Sequence, residues 1–243
     1  DDADFIVEMD GNTELDGLSY RTTFSVDGNV QGLTAGAPDL TASIDAALGE
    51  VELSTREPLR FQSYEDGMEV SADLAALGGG LSTTLTTRGD TQIRVNADGL
   101  EIAPLLFLIG RPALDGALDL SVAFDETAEG GLSGPINAEM RGISRAGSDI
   151  APVDLFVTGD LTPSLLDLAI RALDNETLEA RATIDVPVTT SGDAPFVQPV
   201  AGASMPFSAT ANGQIEAIAA LFIPPQMVLQ GRVDADLSGE LPS

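Results

Sequence analysis

The residues of this chain best suited to chemistry are its carboxylates, and the most suggestive group of them lies near the end. Asp234, Asp236, Ser238 and Gly239 follow the opening of an EF-hand loop, in which oxygen ligands at alternate positions wrap a calcium ion. The glutamate that closes such a loop at its twelfth position falls past Ser243, and the flanking residues do not read as two helices. The same four residues fit the wet face of a β-strand. Paired carboxylates for glycoside hydrolysis are the second candidate chemistry. With 39 acidic residues, two suitably separated carboxyls can be found anywhere, so the pattern selects nothing. A sugar cleft also wants aromatic faces, and the chain has no Trp and two Tyr. Gly78-Gly79-Gly80 is not followed by the lysine and helix of a phosphate-cradling loop.

What is missing narrows the field further. There is no histidine and no cysteine among 243 residues. Ordinary zinc sites, Ser-His-Asp and Cys-His nucleophile systems, and the usual base near neutral pH all need one or the other. The chain is therefore read as a non-enzyme without cofactor or metal. The eleven basic residues are all Arg and leave a formal charge of −28. Such a surface repels phosphate backbones, so no nucleic acid is expected as partner, and it disfavours docking on anionic membranes. A solvated, acidic outer face is the plain explanation.

The elements that must carry these side chains are mostly strands. Phe5, Val7 and Met9, and then Leu18, Tyr20, Thr22, Phe24 and Val26, alternate with polar residues. Asp-Gly dipeptides at 10–11, 16–17, 27–28, 66–67, 98–99 and 115–116 read as hairpin turns, because both central residues of a type I′ turn need positive φ. Pro38 to Ala47 reads as a short helix. Strands resume at Val51 to Leu53, Leu59 to Phe61 and Met68 to Leu74, and the three glycines at 78–80 read as a bend rather than a domain boundary. Residues 129–148 are rich in Gly and Ser around a short strand at Ile136, Ala138 and Met140. Residues 189–207, with Pro195, Pro199 and Pro206, form a second irregular region.

From about Leu100 onwards a looser module recurs, in which a short apolar helix is followed by a strand. Pro104 to Ile109 precedes the alternation of Leu118, Leu120, Val122 and Phe124. Thr162, placed as N-cap, and Pro163, at the first helical position, open a segment with Leu166, Ala169, Ile170 and Leu173 on one helical face. Ala182, Ile184, Val186 and Val188 then alternate as a strand. Ile215, Ile218, Ala219 and Phe222 share a helical face closed by Pro224-Pro225, and Val233, Ala235 and Leu237 alternate with Arg232, Asp234, Asp236 and Ser238. The spacing is too uneven for a solenoid of fixed period. Periodicity thus predicts an all-β, mainly antiparallel fold with a few short helices, in which residues 1–95 form a β-meander and residues 96–243 hold three helix–strand modules.

The stretches ARATIDVPV at 180–188 and GRVDADLSGELP at 231–242, with GALDLSV at 116–122, resemble the repeats of the TamB proteins, the inner-membrane subunits of the bacterial translocation and assembly module, and of the wider AsmA-like group. The resemblance runs from about Leu100 to the end and is only compositional before it. It implies an elongated curled sheet, a β-taco with a hydrophobic groove. The groove would serve phospholipid transport between inner and outer membranes, assembly of outer-membrane β-barrel proteins, or both. The implied partners are phospholipid acyl chains, an outer-membrane barrel of the Omp85 type and unfolded outer-membrane protein clients. The implied location is the periplasm, with a membrane anchor outside this chain. The groove candidates are Leu118, Leu120, Val122, Ile184, Val186, Val188, Val233, Ala235 and Leu237. Read from alternation alone, the same residues could instead meet in an ordinary sandwich core. The other readings are an acidic β-rich structural or adhesive surface segment with a closed core and no lipid cargo, and a divalent-cation-dependent β-sandwich module.

Overall fold

The computed structural model describes residues 2–15, 18–32, 37–49, 51–108, 114–145, 151–174, 178–192, 195–214, 216 and 231–242. It is all-β and antiparallel throughout, and the chain divides into two compact units, Asp1–Pro112 and Ala113–Ser243.

The first unit is a meander in which each strand pairs with the next. Its strands are β1 (Ala3–Leu15), β2 (Leu18–Gln31), β3 (Asp39–Leu48), β4 (Val51–Tyr64), β5 (Gly67–Ala76), β6 (Gly79–Thr86) and β7 (Gln92–Glu101), followed by helix α1 (Ile102–Leu108). The second unit continues with β8 (Leu114–Glu126), β9 (Leu132–Arg145), β10 (Val153–Leu161), β11 (Leu165–Asp174), β12 (Glu179–Thr190), β13 (Val197–Pro199), β14 (Ser204–Gln214) and β15 (Arg232–Pro242). Here β12 pairs β14 directly, and the three-residue β13 pairs the far end of β12.

Two predicted helices are strands. The segment predicted as a helix from Pro38 to Ala47 holds β3, with Leu40, Ala42, Ile44 and Ala46 opposite Val30, Gly28, Val26 and Phe24. The segment opened by Thr162 and Pro163 is β11. Its sequence LLDLAIRAL fits a period of two as well as one of 3.6. With β10 and β12 on either side the ladder decides, putting Leu166, Leu168, Ile170 and Ala172 inward and Asp167, Ala169 and Arg171 outward. The cap signal was a turn signal. The Thr162 hydroxyl accepts the Leu165 N–H at 3.1 Å, as an N-cap would, while the Thr162 N–H donates to the Leu165 carbonyl and closes the hairpin. Of the predicted helix at 215–222 only residue 216 is among the described residues; the one at Pro104 corresponds to α1.

Asp-Gly overpredicted turns. Asp10-Gly11 and Asp27-Gly28 lie inside β1 and β2, Asp98-Gly99 inside β7, and Asp115-Gly116 at a register shift in β8. Gly28 serves close approach instead, since a Cβ there would stand 2.5 Å from the Phe5 ring, which lies across it. Leu77-Gly78, both at positive φ, make a two-residue hairpin turn between Ala76 and Gly79 where a bend was expected. The short strands expected at 51–53 and 59–61 are one strand, β4, which bulges around Pro58, and residues 132–145 form one long strand. Among the described residues no helix is long and apolar enough to cross a membrane.

Candidate functional site

Antiparallel register places the alternating apolar residues of the second unit in rows running across its strands. One row reads Leu118, Met140, Leu155, Ala172, Ala180, Ala211 and Ala235. The next reads Leu120, Ala138, Val157, Ile170, Ala182, Ala209 and Leu237. The third reads Val122, Ile136, Gly159, Leu168, Ile184, Phe207 and Gly239. No polar side chain interrupts these three rows.

All nine residues picked from the sequence lie on this face. Val186 stands opposite Leu166, Val188 opposite Pro199 of β13, and Val233 opposite Gly213. Sequence reasoning missed the centre of the face. Leu168, Ile170 and Ala172 were hidden in a supposed helix and Phe207 at the end of a supposed irregular region, while Ala209 and Ala211 fall between that region and the helix predicted at 215–222, where no element was expected. The signal was present as strict alternation in MPFSATANG at 205–213, where Met205, Phe207, Ala209 and Ala211 face inward.

The face is only half-shielded. Of the residues in the three rows Ala172 alone is buried, and Leu237 is 59% exposed. A sandwich core would bury its inner rows more fully than this. Between β11 and β15 the small side chains Ala172, Ala180, Ala182, Ala209, Ala211 and Ala235 line a hollow of about 170 Å³ together with Ile170 and Leu237. The first unit carries rows of the same kind: Ala3, Val30, Leu40, Phe61, Val70, Leu85 and Ile93 are neighbours across its seven strands.

The opposite face of the second unit is polar but for Phe156 and Ala169. Asp119, Glu139, Phe156, Arg171, Arg181, Thr210 and Asp236 form one row, and Ser121, Asn137, Thr158, Ala169, Thr183, Ser208 and Ser238 the next. Arg141 reaches Glu139 at 2.6 Å and Asp119 at 3.3 Å. The guanidinium hydrogen bonds of Arg141 and Arg181 hold Glu139 and Glu179 below the usual carboxylate range, and Arg21 does the same to Asp10 in the first unit. Asp234, Asp236 and Ser238 belong to this solvated face of β15, and among the described residues no group of three or more carboxylates is placed to hold a metal ion.

No protein family profile matches the chain, and neither the curated proteins nor the solved structures contain a match to it. The geometry of the apolar face is therefore what a functional reading has to stand on.

Proposed function

We propose that the chain is a periplasmic segment of a TamB-like protein whose apolar sheet face is a groove for phospholipid acyl chains moving between the inner and outer membranes. The observation that carries this reading is the unbroken apolar character of three rows across seven strands, on a face that is half-exposed. An extended apolar patch on a monomer marks a surface that meets something apolar. The resemblance of residues 180–188 and 231–242 to TamB repeats names what that is.

Transfer along such a face works by matching the solvent of the cargo. Each methylene kept from water is worth about 0.8 kcal/mol, so a chain that slides from row to row never meets the full cost of hydration. Repeated Ala, Val, Leu and Ile contacts give neighbouring positions similar depth, which favours passage over tight storage. The hollow of about 170 Å³ is below the roughly 300 Å³ of small ligand sites and is lined largely by aliphatic side chains, which suits part of one acyl chain. Carboxylates on the outer face leave a phosphate headgroup to the solvent.

A role in assembling outer-membrane β-barrel proteins draws on a separate feature. β15 ends the ladder of the second unit and exposes Leu237 and Leu241, the geometry by which an extended client segment adds to a sheet.

The test is mass spectrometry of lipids extracted from the purified protein, beside Leu237→Asp and Ile184→Asp variants. Leu237 is exposed, so its replacement leaves the fold intact. Phospholipid recovered from the parent and depleted in the folded Leu237→Asp variant supports the groove. A parent free of lipid, even after incubation with phospholipid vesicles, overturns it in favour of a structural segment.

A further inference from the structure

At one rim of the second unit the strands do something the ladder alone does not require. β9 and β12 are separated by β10 and β11, so at about 4.8 Å per strand their axes would lie roughly 14 Å apart in a flat sheet. Yet the Leu132 N–H, at the start of β9, donates to the Thr190 hydroxyl at 2.8 Å, and that hydroxyl lies 3.3 Å from the Leu132 carbonyl. Gly192 N–H donates to the Gly130 carbonyl at 3.2 Å beside it. The tip of the β10–β11 hairpin sits between them: Thr190 N–H bonds the Pro163 carbonyl, and Val188 N–H that of Ser164.

The approach is close enough to exclude a side chain. A Cβ on Gly131 would stand 2.8 Å from both Pro163 Cβ and Thr190 Oγ1. Beneath the junction lie Leu132, Leu161 and Val188, with 0%, 1% and 2% exposure; Val153, at the opposite end of β10, is as well buried on the same face. Between this rim and Val153 the rows are half-exposed but for Ala172, and at this rim the Leu132–Thr190 and Gly130–Gly192 bonds fold the sheet over.

We propose that Thr190 is a positioning residue that pins this rim of the apolar face shut, with Gly131 providing the room. The hydroxyl, facing both the N–H and the carbonyl of Leu132, stands in for a missing β-bridge and joins strands that are not ladder neighbours. Cargo is thereby kept from passing over this rim and confined to the rows beyond it. That last consequence rests on the lipid reading above; the closure itself does not.

The chain has no cysteine, so Val188→Cys introduces a single thiol under the pin. Its labelling by a maleimide is measured in three backgrounds: Thr190, Thr190→Val and Thr190→Ser. Valine keeps the shape and removes the hydroxyl, and serine restores it. Labelling faster by roughly five- to tenfold in the valine background, the effect of losing about one hydrogen bond, with return towards the parent rate for serine, supports the pin. Equal rates in all three, or serine as fast as valine, overturn it. Hydrogen exchange at the Leu132 amide in Thr190→Val and Gly131→Ala proteins without the cysteine gives a second readout, in which unchanged protection also overturns the proposal. Binding of a fluorescent fatty acid to the parent is followed in parallel. No binding together with a normal labelling response would sink the lipid reading and leave the pin standing.

Discussion

Arg171 and Arg181 stand directly opposite each other in the β11–β12 ladder, and Glu179 is bonded to both. Like charges facing each other across a ladder are destabilising, so the carboxylate is what makes the pairing acceptable. Glu179→Gln removes the neutralising charge and leaves two guanidinium groups face to face. The expected result is a small fall in Tm, because all three groups are solvated. Adding salt should narrow the difference from the parent. A Glu179→Gln protein as stable as the parent at low ionic strength would mean that solvent already screens the pair.

The same carboxylate sets a pH dependence. Arg181, and then Arg171, hold Glu179 below the ordinary glutamate range in the folded state. A group depressed by folding contributes stability that is complete above its unfolded value and disappears as pH falls through its folded value. The stability difference between parent and Glu179→Gln is therefore expected to be level at neutral pH and to shrink on acidification below the ordinary glutamate range. The difference is the quantity to follow in urea titrations. Absolute stability also reflects the relief of repulsion as other acids of a chain carrying −28 take up protons. A difference that stays constant down to strongly acidic pH would show that Glu179 gains nothing from its partners.

Alternation was legible wherever one face is apolar and the other charged, as in Leu118 to Val122 or Val233 to Leu237. It failed where a segment satisfies two periods at once. LLDLAIRAL places apolar residues at both helical and strand spacing, and only its two ladder neighbours settle which is used. Thr162 and Pro163 misled because a helix N-cap and a two-residue hairpin use the same hydroxyl-to-amide bond. Asp27-Gly28 misled because a glycine beneath an aromatic ring looks in sequence like a glycine in a turn. The folded-over rim was out of reach, since Thr190 and Leu132 are 58 residues apart and neither belongs to a motif.

Leu77 is in the left-handed region, with φ of 51°, at the first position of its hairpin turn. A branched side chain there costs roughly 1–2 kcal/mol, whereas Asn tolerates it and Gly is indifferent to it. Leu77→Asn should therefore raise the stability of the protein by about 1 kcal/mol in urea denaturation. The carbonyl of Leu77 still accepts the Glu101 N–H at 2.7 Å, so the turn keeps its anchor. Destabilisation instead would mean that the half-buried Leu77 side chain contributes more by packing than its backbone loses by strain.

Leu132 and Leu237 share the apolar face of the second unit and differ in what surrounds them, one with no exposed surface and the other 59% exposed. Truncating Leu132 to Ala under the folded-over rim leaves a cavity that rigid neighbours cannot fill, and about 2–5 kcal/mol of stability should be lost. Truncating Leu237 removes little that folding had shielded, so the change should stay within about 0.5 kcal/mol. Acyl-chain binding should follow the opposite order. Leu237→Ala removes a wall of the hollow over β11–β15 and weakens retention of lipid, while Leu132→Ala leaves that hollow intact at temperatures where the protein is folded. Paired denaturation and lipid-retention measurements on the two variants separate residues that hold the sheet in shape from residues that meet its cargo. Equal loss of stability in both would mean that the face is a closed core, and the groove reading would have to be abandoned.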